Sequence, residues 1–399
     1  MKKTVLLHLF APLRFGGGET FLANFLHGST SSFDNKVILF SSSPELFAEV
    51  GGSGSVATVT RFLNSDMGTG KKSSYIRLFL QILLHPFKMS RVFRANGDYD
   101  FVIGHGFPFN FILPLLRGAG VVKARGGMVY FQHHRLMNSS GSALQRVIYQ
   151  KLFSFFDIII ANSPDVRDDI LALDKGLSSK IIIYSVGLDF EYIKERAMGV
   201  SGIKPSIPRG GIVAIYPARF MPHKNHRLFT RIFAKLKEAG VIERFFVVFS
   251  AGDNELKKAF QEKIVGEGYQ KNCLFPERLG HDDLLRTMRS ADICIFPSLE
   301  EGFGLGILEA LIMEVPVVAL RGAIPTELAA FTLSAESEDE FTDIACRLVE
   351  DPAYLAKAAE SLKDNYASLR KMSDLRETSP KLRDALVAFS SGSGVIAEE

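Results

Sequence analysis

A strand pattern, a glycine-rich turn and a helix pattern follow one another between residues 293 and 312. Residues 293–296 are apolar, partly β-branched and followed by Pro297, which is typical of a short buried strand. From Leu305 to Ile312 apolar residues recur along one face, which predicts a helix. A glycine turn that opens a helix lets backbone N–H groups and the positive helix end approach an anion. This order favours a doubly wound sheet with a phosphate-facing edge.

Two carboxylates, Glu301 and Glu309, bracket the turn that contains Gly302, Gly304 and Gly306. Glu309 lies about one turn inside the predicted helix, where a carboxylate can accept two hydrogen bonds from a vicinal diol such as a ribose. Glu301, on the loop, would point toward whatever lies beyond the phosphates. A lone glycine-rich loop is more often only a tight turn, so the assignment depends on the residues around it.

The full run from 297 to 318 is more specific than its glycines alone. It resembles the signature of the retaining, GT-B-fold glycosyltransferases of family 4 in the segments 297–298, 301–305, 308–310 and 315–318. The resemblance implies that Glu301 and Glu309, eight positions apart, hold a donor sugar nucleotide, with Glu309 on the ribose. It assigns the sugar hydroxyls and the phosphate to Glu301 together with Phe303, Gly304 and Leu305.

A chain of 399 residues exceeds one typical hydrophobic core, so two domains are expected. Strand and helix patterns alternate through both halves, which predicts an α/β protein with two doubly wound, Rossmann-like domains facing an interdomain cleft, the GT-B arrangement. We expect an acceptor-binding domain over 1–190 and a donor-binding domain over 191–370. Residues 371–399 are expected to hold a helix that packs back on the first domain, starting at Pro380, and a disordered tail.

Arg219 and Lys224 lie five positions apart across a predicted strand-to-helix loop. Both can therefore reach one point at the carboxyl edge of a sheet, where two cations suit a diphosphate leaving group. The pair matches the Arg-x4-Lys donor-phosphate pair of the resembled family. That family also implies backbone contacts from Leu279 and its neighbour Gly280 to the nucleobase. The acidic pair at 282–283 is interpreted as a helix start, so no metal or other cofactor is expected.

The first strand, residues 5–10, also precedes a glycine run, Gly16, Gly17 and Gly18, and a helix pattern over 20–26. Three glycines alone more often form only a flexible turn, but the order is again the one that cradles phosphate. The resemblance implies that the backbone at Gly16 and Gly17 approaches the phosphates of the donor from across the cleft. The apolar start of the chain is interpreted as this strand, since a histidine and a proline interrupt it.

Histidines follow two predicted strands of the first domain. His105 ends the strand near 101–105, and His133 and His134 end the strand near 129–132. Adjacent side chains in a strand point to opposite sides, so at most one of the pair faces a cleft. The resemblance implies that a histidine here contacts the donor sugar near the reacting centre; His133 aligns best with it, and His134 is the alternative.

Charge is distributed unevenly along the chain. Residues 1–190 carry 20 Lys and Arg against 13 Asp and Glu, and residues 101–156 contain no acid. The stretch 71–94 joins six basic residues to an apolar face, broken by Pro86. It is either an ordinary core-facing helix with a basic outer face or a patch that contacts anionic membrane. No run approaches a membrane span, so we expect a cytoplasmic protein, at most peripheral on the inner face of the membrane, with no nucleic-acid partner.

Together these features predict a retaining glycosyltransferase that moves a sugar from a nucleotide-diphosphate sugar to a glycan or lipid-linked acceptor, in cell-surface polysaccharide or glycolipid synthesis. His133, Glu301, Arg219 and Lys224 are the expected catalytic residues. Front-face displacement assisted by the leaving phosphate is the implied route. Two alternatives remain open: a sugar-nucleotide epimerase or hydrolase on the same scaffold, and a non-catalytic subunit that only binds sugar nucleotides.

Overall fold

The structure is a computed structural model that describes part of the chain in detail. The described residues are 3–10, 17–40, 56–61, 86–106, 109–133, 136, 143–185, 187–200, 203, 210–250, 252, 254–277, 279–301 and 304–392. The chain divides into two compact units, the first comprising Met1–Asp189 and Met372–Glu399 and the second Phe190–Lys371. Each unit contains one parallel β-sheet with helices, which confirms the predicted α/β class and pair of doubly wound sheets.

The first unit contains a seven-stranded parallel sheet in the order β3-β2-β1-β4-β5-β6-β7. The strands are β1 (Thr4–Phe10), β2 (Phe33–Leu39), β3 (Val56–Arg61), β4 (Phe101–His105), β5 (Gly127–Gln132), β6 (Ile158–Ala161) and β7 (Ile181–Ile183). The helices are α1 (Gly17–Gly28), α2 (Pro86–Ala95), α3 (Phe109–Gly118), α4 (Ala143–Ser154) and α5 (Pro164–Leu173). The central strands are near-continuous apolar runs and fully buried, as expected for a sheet that helices cover on both faces.

The second unit contains a six-stranded parallel sheet in the order β10-β9-β8-β11-β12-β13. The strands are β8 (Ile212–Tyr216), β9 (Phe245–Phe249), β10 (Cys273–Leu274), β11 (Ile293–Phe296), β12 (Val317–Leu320) and β13 (Leu333–Ala335). The helices are α6 (Phe190–Arg196), α7 (Leu228–Glu238), α8 (Glu255–Gly266), α9 (His281–Arg289), α10 (Leu305–Ile312), α11 (Thr326–Ala329), α12 (Glu338–Glu350) and α13 (Pro352–Ser373). The strand and helix predicted on either side of the glycine turn are confirmed as β11 and α10.

The last helix, α14 (Leu375–Ser390), belongs to the first unit. The prediction that it begins at Pro380 is wrong, because the Asp374 side chain accepts the backbone N–H of Arg376 and caps the helix earlier. Ser379, the residue before Pro380, is buried inside the helix with its hydroxyl 3.0 Å from the hydroxyl of Ser32. Tertiary contacts thus keep Pro380 within a continuous helix.

Helix α2 covers the part of the basic stretch 71–94 that the structure describes, and residues 71–85 lie outside the described ranges. Met89 and Phe93 are buried, while Lys88, Arg91 and Arg94 are exposed. This is the arrangement of a core-facing helix with a basic outer face. Among the helices that the structure describes, none is both long and apolar enough to span a bilayer.

Candidate functional site

The carboxyl ends of β8 and β11 lie side by side in the sheet of the second unit. The two strands pair in parallel, with Cys294 opposite Ile215, so the loops that follow them leave the sheet at the same edge. A backbone hydrogen bond of 2.7 Å from the N–H of Leu299 to the carbonyl of His223 joins the two loops. In doubly wound sheets this edge is where ligands bind.

Lys224 and Glu301 form an ion pair across these loops. The Nζ atom of Lys224 lies 2.6 Å from Oε2 of Glu301, and the two side chains are only 17% and 12% exposed. Ser298 donates its hydroxyl to the other carboxylate oxygen, Oε1, over 2.6 Å. One cation and one hydroxyl therefore hold both oxygens of Glu301 in place.

Tyr216, the last residue of β8, forms hydrogen bonds with both loops. Its hydroxyl donates to the backbone carbonyl of Lys224 over 2.7 Å and lies 2.9 Å from the hydroxyl of Ser298. Burial raises the pKa of Tyr216 well above its usual value, the hydrogen bond with Ser298 lowers it, and the charge of Glu301 raises it again. The phenol therefore stays protonated and fixes the lysine-bearing loop to the sheet.

Arg219 lies in the same loop as Lys224, with an exposed side chain. Partial burial lowers the pKa of His223, and the charge of Lys224 lowers it further. Arg219 acts in the same direction, while Glu300 and Glu301 act against it. Lys224, Arg219, Glu300 and Glu301 therefore all act electrostatically on His223.

The loop before α7 depends on a left-handed residue, Asn225, with φ 52° and ψ 40°. Asparagine tolerates this conformation better than most side chains. Its Nδ2 donates to Oε1 of Glu338 over 2.9 Å, and its Oδ1 accepts from Nε of Arg227 over 3.0 Å. These bonds fix the turn immediately after Lys224.

Glu309 occupies the buried side of α10, with 5% of its surface exposed. Its Oε1 lies 2.7 Å from Nε2 of His281, the first residue of α9, whose side chain is 7% exposed. The Nδ1 atom of His281 is buried and makes no hydrogen bond with the residues that the structure describes. Leu279, predicted to contact the nucleobase, and Gly280 directly precede this histidine. The predicted ribose carboxylate and the predicted nucleobase segment thus meet at one place.

Sequence reasoning did not identify His281 as a site residue. Its only signal was its position, directly after the Leu279-Gly280 pair and at the start of a helix. The acidic pair that follows it, Asp282 and Asp283, was interpreted as the helix start, and the histidine was therefore not considered. In the structure Asp282 pairs with Arg196 and Asp283 with Arg286, over 2.5 Å and 2.8 Å. Within the described ranges, no cluster of three or more His, Cys, Asp or Glu side chains is placed to hold a metal ion.

Gly304 forms the turn into α10 in a left-handed conformation, with φ 72° and ψ 44°. A Cβ atom at this position would lie 3.3 Å from Cδ1 of Ile307, so a larger residue would be both strained and crowded. Gly304, the N-cap residue, has no side chain to cap the helix, and Leu305 is the first helical residue. The first N–H groups of a helix lack intrahelical partners and attract anions. Gly302 and Phe303 lie outside the described residues.

The site residues predicted in the first half belong to the first unit. His133 follows β5, with its ring Nε2 3.0 Å from Nδ1 of His105 and its carbonyl accepting from Asn162 over 2.8 Å. Gly17 is the first residue of α1. His134 and Gly16 lie outside the described residues.

Comparison with known proteins finds similarity to glycosyltransferases over part of the chain. A family model described as glycosyl transferases group 1 matches residues 203–369. D-inositol 3-phosphate glycosyltransferase 1 of Catenulispora acidiphila is 23% identical over 282 residues, which cover 66% of this chain and 66% of that protein. D-inositol 3-phosphate glycosyltransferase of Saccharomonospora viridis is 24% identical over 247 residues, covering 58% and 57%. The chain thus spans about two thirds or less of the length of these two relatives.

Solved structures show the same fold. HepE of Anabaena, solved in complex with UDP and glucose, superposes with a TM-score of 0.73 at 17% identity, covering 96% of this chain and all of that one. The chain therefore has the GT-B fold, and its residues 203–369 match the group 1 glycosyltransferases.

Proposed function

We propose that the protein is a retaining glycosyltransferase of the family 4 type. It would transfer a sugar from a nucleotide-diphosphate sugar to a hydroxyl of a glycan or lipid-linked acceptor, in the synthesis of cell-surface polysaccharide or glycolipid. The observation that carries this proposal is the Lys224–Glu301 pair at the carboxyl edge of the second sheet. The match of residues 203–369 to the group 1 glycosyltransferase model supports it.

In the proposed donor complex, Lys224 and Arg219 bind the diphosphate. A lysine ammonium has three donor hydrogens, so Lys224 can keep its bond to Glu301 while it donates to a phosphate oxygen. The negative charge on the leaving diphosphate grows as the glycosidic bond breaks, and fixed cations lower the energy of that state. The N–H groups of the first turn of α10, at Leu305 and beyond, add a neutral donor set.

Glu309 binds the ribose in this proposal, with His281 as its partner. The imidazole holds Oε1 of the carboxylate at 2.7 Å. That contact orients the carboxylate, whose remaining acceptor sites can receive the ribose hydroxyls. Phosphate and ribose contacts therefore come from separate elements, the loop after β8 for the first and α10 with the start of α9 for the second.

The proposed chemistry is a front-face displacement that needs no enzyme nucleophile. The bond between the anomeric carbon and the diphosphate oxygen breaks, and the acceptor oxygen forms the new bond on the same face. The proton of the acceptor hydroxyl passes to an oxygen of the leaving diphosphate, so the product keeps the configuration of the donor. His133 of the first unit is the proposed contact to the sugar, and no metal is proposed for any step.

The test is a transfer assay with a panel of sugar nucleotides that begins with UDP-glucose, since the HepE structures were solved with UDP and with UDP-glucose. Acceptors include lipid-linked sugars, oligosaccharides and inositol phosphates, the last suggested by the names of the relatives. Transfer with nucleoside diphosphate release and a product anomer equal to that of the donor supports the proposal. An inverted product anomer would overturn retention. Binding without turnover over the whole panel would favour the non-catalytic alternative.

A further inference from the structure

A row of three imidazoles runs through the first unit and ends at an amide. Nε2 of His8 lies 3.1 Å from Oδ1 of Asn35, and Nδ1 of His8 lies 2.9 Å from Nε2 of His105. Nδ1 of His105 in turn lies 3.0 Å from Nε2 of His133. The Nδ2 of Asn35 donates to the hydroxyl of Ser29 over 3.0 Å. Each of these distances is that of a hydrogen bond.

Proton counting fixes the direction of every bond in this row. A neutral imidazole has one N–H donor and one lone pair, so it can donate on one side and accept on the other. Because the Asn35 oxygen only accepts, His8 must carry its proton on Nε2 and accept on Nδ1. His105 must then donate from Nε2 and accept on Nδ1. The same rule gives His133 its proton on Nε2 and leaves the lone pair on Nδ1.

Burial keeps the inner members of the row neutral. His8 and His105 are 0% and 4% exposed. Burial lowers the pKa of His8 to about 4, although the hydrogen bond with Asn35 opposes the shift. Burial also lowers the pKa of His105 well below its usual value, and the neighbouring imidazoles His133 and His8 lower it further. A second proton on either imidazole would turn its accepting nitrogen into a donor and reverse a hydrogen bond in the row. Because burial disfavours that charged form, all bonds in the row keep the same direction.

We propose that Asn35, His8 and His105 are positioning residues that fix the tautomer of His133 through a hydrogen-bonded row, with the proton on Nε2 and Nδ1 as acceptor. The tautomer is a property of the protein without substrate. Its consequence for catalysis rests on the proposed function: the row would hold His133 in a single tautomer where it meets the sugar. Fixing a histidine tautomer through a buried partner is a known way to prepare an imidazole for chemistry.

Packing alone does not require histidines in this row. The rings of His105 and His133 lie 5.2 Å apart, and both contact the apolar rings of Phe21 and Phe131. Buried polar atoms raise the energy of the fold unless they are paired. Here every ring nitrogen of His8 and His105 is paired within the row. The hydrogen-bonded row thus runs without a break from buried Asn35 to His133, which is only partly buried.

The test is nitrogen NMR of the full-length protein labelled with 15N in its histidine rings, which reports the protonated nitrogen of each imidazole. Wild type is expected to show His133 protonated on Nε2 alone. Asn35→Leu removes the terminal acceptor, and His105→Phe cuts the row while keeping an aromatic ring. Both variants are expected to let His133 populate both tautomers. Phe25→Leu is the matched control, since Phe25 packs against His8 at 5.5 Å without a hydrogen bond to it.

Three results would overturn the proposal: a proton on Nδ1 of His133 in wild type, an unchanged His133 in both row variants, or an equal shift in the Phe25→Leu control.

A kinetic measurement on Asn35→Leu gives a second test, because Asn35 has no proposed contact with substrate. Asn35→Leu is expected to lower kcat about tenfold or more with an unchanged KM for the donor, as expected for a misdirected imidazole. Lack of turnover in wild type would overturn the proposed function and leave the NMR result decisive for the row.

Discussion

Replacing Lys224 by alanine removes the ammonium that lies 2.6 Å from Glu301. If this ammonium also binds the donor diphosphate, its loss removes one hydrogen bond to a charged group, worth about 1.5–3 kcal/mol. That energy corresponds to a dissociation constant for UDP about 10- to 150-fold higher. Uridine has no phosphate, so its affinity should change by less than about twofold on the same reasoning.

The variant is also expected to be less stable. Glu301 would keep its bond from Ser298 but lose its cation, with 12% of the side chain exposed. Breaking a fully buried pair costs about 3–5 kcal/mol, and the partial exposure here reduces the expected loss to roughly 1–3 kcal/mol. Glu301→Gln in the Lys224→Ala background should recover part of this loss, because it removes the unpaired charge.

Titration calorimetry with UDP and with uridine measures the two affinities, and urea unfolding measures the stability. Lys235→Ala is the matched control, since Lys235 pairs with Asp343 on the surface of the same unit, away from the sheet edge. The control should leave both affinities unchanged. An equal loss of affinity for UDP and uridine in Lys224→Ala, or no loss for either, would refute the phosphate role of this lysine.

Three further changes test other parts of the site and fold. His281→Leu should weaken UDP and uridine alike, severalfold in calorimetry, because it releases the Glu309 carboxylate; a loss confined to UDP would contradict the ribose assignment. Gly304→Ala should cost about 1–2 kcal/mol in urea unfolding, since φ is 72° there, and an unchanged stability would contradict the strain. Burial lowers the pKa of His226 to about 3, although the hydrogen bond with Ala218 opposes this shift. The pKa in the folded protein is therefore below that in the unfolded chain. As a result, the free energy of unfolding falls as the pH drops below about 6.5. His226→Phe should therefore reduce the loss of unfolding free energy between pH 7.5 and 5 by about 1–2 kcal/mol, and an equal loss in both proteins would refute this assignment.

The sequence predicts best the features that depend on local pattern. Strand β11, the turn at Gly304 and helix α10 follow from a short apolar run, a glycine that must adopt positive φ, and helical spacing. The positions of Lys224 and Glu301 follow from the same reasoning, since each lies in the loop that follows a buried strand. Their pairing is a consequence of the parallel register between β8 and β11, which topology rules allow one to expect.

Features that depend on contacts distant in sequence were not predictable in this way. The start of α14 is set by Asp374 and by contacts of Ser379 with a residue near the start of the chain, so the local proline signal was misleading. His8 interrupts an apolar strand in the sequence, and only the sheet order places it beside His105. His281 acquires its role from a glutamate 28 positions away. In each case a polar side chain is explained by its partner rather than by its neighbours in sequence.

A close approach of two backbone segments explains why residue 187 is a glycine. A Cβ atom at Gly187 would lie 2.6 Å from the carbonyl oxygen of Ser373. Two segments far apart in sequence cross here, and Leu188 donates to the same carbonyl over 3.0 Å. The crossing supplies the physical reason for a glycine at this position.

The most direct measurement is a crystal structure of the protein with UDP bound. The account predicts the diphosphate within hydrogen-bond distance of Lys224 Nζ and of the first-turn N–H groups of α10, with a ribose hydroxyl on Glu309. A diphosphate bound elsewhere, with Lys224 still paired to Glu301 alone, would contradict the proposed donor site.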